Sequence, residues 1–318
     1  MQTQCPSCNR HAYLKIDSVR CDRLVSGYAS THLQVNISSA LPCDLEEIDL
    51  LQCEACGARW YSPMIAGGPD FYEALQRHEW YYQSEKPEYP HAAALVPLGA
   101  NVLEVGCGRG AFAPYLKGIK SYKGLEFNRE AIRKATALGL NVVELPIEEE
   151  AAHQPGQYDV VCHFQVLEHV PDSLSFMVAC VTALRPGGML IVTVPSDDSF
   201  LSVSTAAWLN MPPHHVSRWT DSAMADLFER LGLSVQHVWH EPIAKFHMDW
   251  YRSAMQYFGL CTILGRRAIL DDRSFVPRVA RRLARAKIFD EWLFKKGEQG
   301  FLFRSRGHSV CFSGVKIK

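Results

Sequence analysis

The sequence predicts a doubly wound α/β sheet, and three observations predict it. An apolar strand runs straight into a glycine-rich turn, an acidic residue follows about twenty positions after the first glycine, and strand-like and helix-like runs then alternate to about residue 240. The first observation is Val102-Leu103-Glu104-Val105-Gly106-Cys107-Gly108-Arg109-Gly110. Val102, Leu103 and Val105 suit a strand packed on both faces, and Gly106, Gly108 and Gly110 permit conformations and close approaches that a Cβ would obstruct. Helical residues are expected over 111–116. A strand, glycine turn and helix in this order form a loop for a nucleotide-type cofactor. The spacing here is G-x-G-x-G, not the G-x-G-x-x-G of the dinucleotide fingerprint, and a glycine turn with no ligand has the same local sequence.

The next elements decide between these readings. Residues 122–127 read as a second strand that places Glu126 where a carboxylate accepts both hydroxyls of a ribose. A helix over 129–138 and the short run Val142-Val143 give β-α-β-α-β order, hence parallel strands. Residues 158–164 form the fourth strand, 184–192 a helix end, turn and fifth strand, and 233–239 a sixth.

The segments VLEVGCGRG, YDVVCHFQVLEHV and LRPGGMLIVTVP, in this order and spacing, resemble class I S-adenosylmethionine (SAM) methyltransferases over residues 75–240. Residues 307–318 look like that family's last antiparallel strand. The resemblance implies a Rossmann-like, mostly parallel sheet of seven strands and SAM as cofactor. It places Glu104, Gly106, Cys107, Gly108 and Gly110 on the cofactor loop, with Glu104 facing the cationic end. Glu126 and Phe127 fall at the ribose, Ile147 and Glu148 at the adenine, and Phe164 and Gln165 close the site from above. Ile147 also reads as a core residue, and Glu148 opens the solvated run 148–150.

At 318 residues and 47% hydrophobic, the chain is long enough for one main domain plus appendages. A formal charge of −1 disfavours a nucleic-acid partner, because neutralising phosphates takes many cations. With no secretory leader pattern and no long apolar run, a cytoplasmic protein is expected. Four of the eleven cysteines occur as the knuckle-like pairs Cys5-x-x-Cys8 and Cys53-x-x-Cys56, whose thiolates suit a closed structural zinc site. Free thiols and a redox pair are the alternatives, and Cys21 and Cys43 are spare. Residues 1–65 are therefore expected to form a zinc-ribbon-like domain, with a β-rich insert and little core of its own. Residues 66–98 follow as an aromatic linker, 99–240 as the SAM-binding core, 241–306 as a helical insert and 307–318 as the final strand. Phe71, Tyr72, Trp80, Tyr81, Tyr82 and Tyr89 concentrate in the linker, which resembles the helical lid of related enzymes. There Tyr81 and Tyr82 are placed to bond the cofactor or acceptor, although such residues also pack domain junctions.

Ligands of this fold sit outside the carboxyl ends of the strands, which singles out His169 after the fourth strand and His214-His215 after the fifth. Methyl transfer to a hydroxyl needs alignment and a proton acceptor, and a histidine titrating near neutrality suits that role. Of the two, His215 is favoured slightly by its spacing to Trp219. A metal-assisted alternative follows from the resemblance around VLEH to small-RNA 2′-O-methyltransferases and ubiquinone-pathway O-methyltransferases, where that motif binds a divalent ion. Gln165 stands at the first acidic position here, leaving Glu168, His169 and His215, a set with reduced affinity for Mg²⁺.

In the insert, Arg278, Arg281, Arg282 and Arg285 share a helical pattern with Val279, Leu283 and Ile288. This 278–288 segment reads as a contact for an anionic acceptor or an anionic membrane, or as a solvated face. The leading expectation is O-methylation of a small molecule or glycan precursor, because a four-cysteine domain before this core resembles methyltransferases of sugar and surface-polysaccharide biosynthesis. Sugar C-methylation is in doubt because the long C-terminal domain of that group is missing. An RNA methyltransferase with a zinc recognition module, an inactive binding module and an NAD oxidoreductase are the other readings.

Overall fold

The structure is a computed structural model that describes residues 4–30, 33–78, 81, 85–265, 269–286 and 306–317. Tyr82, Trp80 and Ile288 lie outside the described residues. The chain opens with β1 (Tyr13–Arg20) and α1 (Cys21–Ser30), followed by β2 (Glu47–Cys53) and β3 (Arg59–Ser62). Helices α2 (Pro69–Gln76) and α3 (Glu88–Ala93) lead into β4 (Asn101–Val105). Then come β5 (Ser121–Leu125), α4 (Arg129–Ala137), β6 (Val142–Val143), α5 (Ile147–His153), β7 (Tyr158–Phe164), α6 (Ser173–Ala183) and β8 (Leu184–Pro195). The last elements are β9 (Ser217–Arg218), α7 (Asp221–Arg230), β10 (Leu233–Pro242), α8 (Met248–Ile263), α9 (Val276–Arg285) and β11 (Arg306–Lys316).

Seven strands form one sheet in the order β10-β11-β8-β7-β4-β5-β6. The five from β8 to β6 are parallel, while β11 runs antiparallel to both its neighbours. Its central strands are covered on both faces, which is why β4 and β7 read as continuous apolar runs and not as an alternation. The strand order reverses between β7 and β4, and a crevice opens there beyond their carboxyl ends. Capping fixes the flanking helices: the Asn128 side chain accepts from Ala131 N–H at 2.7 Å and starts α4, and Asp172 does the same for α6. The helix expected over 111–116 is only a single 3₁₀ turn at Ala113–Tyr115. A helix begun at Ala111 would set the Pro114 ring against the carbonyl one turn earlier.

The N-terminal segment differs most from expectation. Between the cysteine pairs it holds α1 as well as strands, and Val19, Leu24, Tyr28, Ile37, Ile48 and Tyr61 build an apolar core of its own. That core is completed by Phe71, Leu75, Trp208 and Met211 from farther along the chain. The sheet has four strands, β1-β2-β3-β9, and its fourth comes from the loop region after β8, with Trp60 opposite Ser217. Cys5, Cys53, Cys56 and Trp60 belong to the same buried cluster as Trp219, Met224 and Met177 of the large sheet's helix layer. The segment is thus fused to the main core by pairing and packing. Between β10 and β11, α8 packs Tyr251 and Met255 on Phe200 and Leu201, and α9 packs Val276 and Ala280 on Tyr257 and Cys261 of α8. No helix among the described residues is long and apolar enough to cross a membrane.

Candidate active site and cysteine cluster

The crevice at the β7/β4 reversal is a cavity of about 1830 Å³. That exceeds the usual 300–1,000 Å³ of a single small-ligand site and gives room for two molecules side by side. One half is built on the glycine turn after β4. Gly106, Gly108 and Gly110 all hold φ between +54° and +75°, the left-handed region. A Cβ on Gly106 would lie 2.6 Å from Val166. The turn therefore exposes backbone to the cavity as only glycine allows.

Two carboxylates mark the ends of this half. Glu104 is buried, accepts a hydrogen bond from Tyr122 Oη at 2.6 Å and is pushed up to about 8, chiefly by burial. A cation delivered against it would restore its charge. Glu126 is clamped by three backbone N–H groups, from Gly108 to Oε2 and from Phe127 and Asn128 to Oε1, each at 2.8 Å. The clamp fixes the carboxylate at the cavity wall and fills both acceptor sites of Oε1 and one of Oε2, leaving Oε2 open to a ligand hydroxyl. Phe127 lines the cavity with 67% of its surface exposed. Cys107, Phe164 and Gln165 also line it; Phe164 is braced by Tyr89 and Phe112. Gln165 holds φ +57°, unusual for a residue with a side chain, and its amide donates to Ser309 Oγ at 3.2 Å. Ile147 and Glu148 do not border the cavity: Ile147 is buried in the main core and Glu148 is exposed on the first turn of α5.

The other half gathers the three histidines. His169 sits on the 3₁₀ turn Leu167–His169 just after β7, and His214 and His215 lie in the loop before β9. One ring nitrogen from each lies within 4.8 Å of the others, and the rings of His214 and His215 stack at 4.5 Å. Each Nδ1 has its own acceptor: His169 donates to the His214 carbonyl at 2.6 Å, His214 to the Leu209 carbonyl at 2.8 Å and His215 to Asn210 Oδ1 at 2.9 Å. These bonds select the neutral tautomer whose Nε2 is an acceptor. Glu168 is buried beside them, with Oε1 3.7 Å from His169 Nε2 and 4.0 Å from His215 Nε2. Neither of its oxygens has a hydrogen-bond partner among the described residues, and burial pushes it up to about 8. The expectation of an imidazole titrating near neutrality is corrected. Burial lowers His169 to about 4, and burial together with the neighbouring imidazoles holds His214 and His215 well below the usual range. The cluster presents uncharged acceptors next to an unpaired carboxyl group.

Sequence reasoning gave Glu168 only as a metal ligand and missed Tyr72, Asn210, Trp250 and Glu241, all on the cavity wall. Tyr72 was visible in the aromatic linker. Asn210 stands in a loop, Trp250 in the insert and Glu241 at the end of β10, where no spacing marks them.

The four cysteines also converge, with ligand atoms within 4.8 Å of one another. Cys5 Sγ lies 3.6 Å from Cys56 Sγ, and Cys8 Sγ lies 3.6 Å from Cys53 Sγ. Tetrahedral zinc with Zn–S of about 2.3 Å requires sulfurs about 3.8 Å apart, so the set fits that ion. Cys21 and Cys43 are not part of the cluster.

A sequence model of the methyltransferase domain matches residues 77–238, just over half of the chain. The ubiquinone biosynthesis O-methyltransferase of Bordetella pertussis is 31% identical over 158 residues, which cover 48% of this chain and 62% of that protein. The enzyme of the same name from Ralstonia nicotianae is 36% identical over 103 residues, covering 30% and 43%. The chain thus spans less than two thirds of the length of these curated relatives. A SAM-dependent methyltransferase from Archaeoglobus fulgidus superposes with a TM-score of 0.49 at 16% identity, covering 77% of this chain and 100% of that one. On the extent of the domain match, and with the glycine turn, Glu104 and Glu126 standing inside it, the chain belongs to the methyltransferase domain family.

Proposed function

We propose that this chain transfers the methyl group of SAM to a hydroxyl of a small-molecule acceptor, and that the proton leaves onto the histidine cluster. The observation that carries the reading is one cavity with a cofactor half, marked by Glu104 and Glu126, and a half lined by neutral imidazoles beside Glu168. The C–S bond of the sulfonium breaks as the acceptor oxygen forms its bond to the methyl carbon. The sulfonium supplies the driving force, so the protein's work is alignment and removal of the hydroxyl proton. A proton arriving on Nε2 of His215 or His169 becomes a cation next to the Glu168 carboxyl, which offsets its desolvation. The relatives' names, given for an O-methylation in ubiquinone biosynthesis, support oxygen as the acceptor atom. The four-cysteine segment instead favours a glycan or sugar-nucleotide hydroxyl within the same reaction class.

A second reading rests on Glu168, whose two buried oxygens lack partners. Glu168, His169, His214 and His215 would hold a divalent ion, and such an ion, when bound, lowers the pKa of the acceptor hydroxyl. Three nitrogens and one carboxylate suit a borderline transition metal better than Mg²⁺. The cysteine cluster is proposed to hold one structural zinc.

The test is transfer of tritiated methyl from SAM to a panel of phenols, sugar nucleotides and RNA, with the labelled product's linkage identified. Ether products from small molecules are expected; label on nitrogen or in RNA would overturn the reading. Activity that survives chelation supports proton transfer to histidine, and activity lost and then restored by Mn²⁺ or Zn²⁺ supports the metal-assisted form. Glu126→Ala is expected to weaken binding of S-adenosylhomocysteine by about 1–3 kcal/mol, the cost of leaving a ribose hydroxyl unpaired. Calorimetry reads this directly, and unchanged affinity removes Glu126 from the ribose.

A further inference from the structure

The helical insert carries a feature that methyl transfer does not use. On α9 the side chains of Arg278, Arg281, Arg282 and Arg285 are all exposed, while Val276, Ala280 and Ala284 are buried. At about 100° per residue the arginines share one stripe roughly a quarter-turn wide and about 10 Å long, opposite the buried face. The helix has no acidic residue. The two acids just before it are occupied, Asp271 by Arg23 at 2.8 Å and Asp272 by Tyr257 Oη at 2.9 Å.

Such a stripe costs the isolated helix stability, because 278/281, 278/282, 281/285 and 282/285 are like-charge neighbours at helical spacing. Arg282 and Arg285 complement the helix dipole at the C-terminal end, but Arg278 stands in the first turn, where a cation is disfavoured. A merely solvated face would mix signs. Where α8 ends and α9 begins, Ile263, Leu264 and Phe275 are 82%, 49% and 60% exposed, while Leu270 of the connection is buried in the N-terminal core. Exposed apolar side chains at the adjoining ends of two packed helices, with an all-cationic stripe on the second, match the two layers of an anionic bilayer surface: acyl chains for the apolar groups, phosphates for the guanidinium groups.

We propose that the α8–α9 pair docks this protein on an anionic lipid bilayer, with Ile263, Leu264 and Phe275 inserted and the four arginines on lipid phosphates. Trp250, in the first turn of α8, lines the active-site cavity. Ile263 lies thirteen residues farther along that helix, about 20 Å away, so docking holds the cavity close to the membrane surface.

The test is flotation of the full chain with vesicles of phosphatidylcholine alone or with phosphatidylglycerol added. At about 1 kcal/mol per arginine, binding to the anionic vesicles is expected to be roughly 10²–10³-fold tighter and to fall steeply with salt. Arg281→Glu with Arg285→Glu is expected to abolish the preference. Phe275→Ser is expected to weaken vesicle binding while leaving heparin and RNA binding unchanged. Circular dichroism and SAM affinity report that both variants fold. Equal binding to the two vesicle types, no binding to either, or loss through the arginines with no effect of Phe275→Ser would overturn the proposal, the last pointing to a soluble polyanion or RNA.

Discussion

Serine at both Cys53 and Cys56 is expected to strip the zinc proposed for the cysteine cluster and to lower the unfolding midpoint of the whole chain, not of its first residues alone. The cysteines share one buried cluster with Trp219, Ala223, Met224 and Leu227, and Leu174 N–H of α6 donates to the Pro6 carbonyl inside the first knuckle. Structural zinc contributes about 10–16 kcal/mol to small metal-dependent folds. Even about 4 kcal/mol lost from this shared core lowers the midpoint by roughly 6 °C at this size. Methyl transfer should fall with it, because the N-terminal sheet holds the histidine loop from outside. Tyr61 Oη donates to the Asn210 carbonyl at 2.7 Å, Tyr28 Oη to the Met211 carbonyl at 3.0 Å, and Tyr61 N–H to the Val216 carbonyl at 3.0 Å. Arg218 donates through Nε and Nη2 to Oδ1 of Asp197 while Arg59 of β3 pairs with its Oδ2, and together they lock the same loop to β3. SAM affinity should change little, since Glu104 and Glu126 stand on β4 and just beyond β5. Elemental analysis and calorimetric unfolding check this. Zinc retained at one per chain with an unshifted midpoint would show that other ligands hold it and that the cluster is not the staple argued here.

The large sheet was legible because its central strands β4, β7 and β8 are covered on both faces and therefore stand out as largely apolar runs. Glu126 was legible from its distance to Gly106, and the cysteine set from its paired spacing. The pairing of β3 with β9 was not, because Ser217-Arg218 is a two-residue strand with no periodicity and joins its partner across more than 150 residues of chain. Nor could the sequence separate Ile147 from the cavity lining. The start of α5 turns it inward because Glu148 and Glu149 take the solvent side, and Glu150, buried, pairs with Lys123 at 2.7 Å. The histidines were found by their place after strands, but their protonation was misjudged. Burial sets it, and burial comes from Tyr72, Tyr81 and the N-terminal module closing over them.

Glu168→Gln and His215→Ala are each expected to reduce the methyl-transfer rate by about 10²–10⁴-fold while SAM affinity stays near that of the parent, the range for removing a general base. Glu168 allows a sharper test than rate alone. A carboxyl group buried without a hydrogen-bond partner is a cost to the fold, and Glu168 has both oxygens in that state among the described residues. If it served the architecture, its replacement by the isosteric amide should destabilise the chain. If it serves the reaction, Glu168→Gln should keep or raise the unfolding midpoint while turnover collapses, because a cost to stability is being removed along with a function. Asn210→Ala supplies the companion measurement. Asn210 only orients His215 through Nδ1, so as a positioning residue it should lower kcat less, about tenfold, with KM for the acceptor little changed and with Asn210→Asp restoring much of the rate. Wild-type turnover in Glu168→Gln, His215→Ala and His169→Ala alike would place the proton acceptor elsewhere in the cavity, with Tyr72 and Glu241 the next groups in reach of an acceptor.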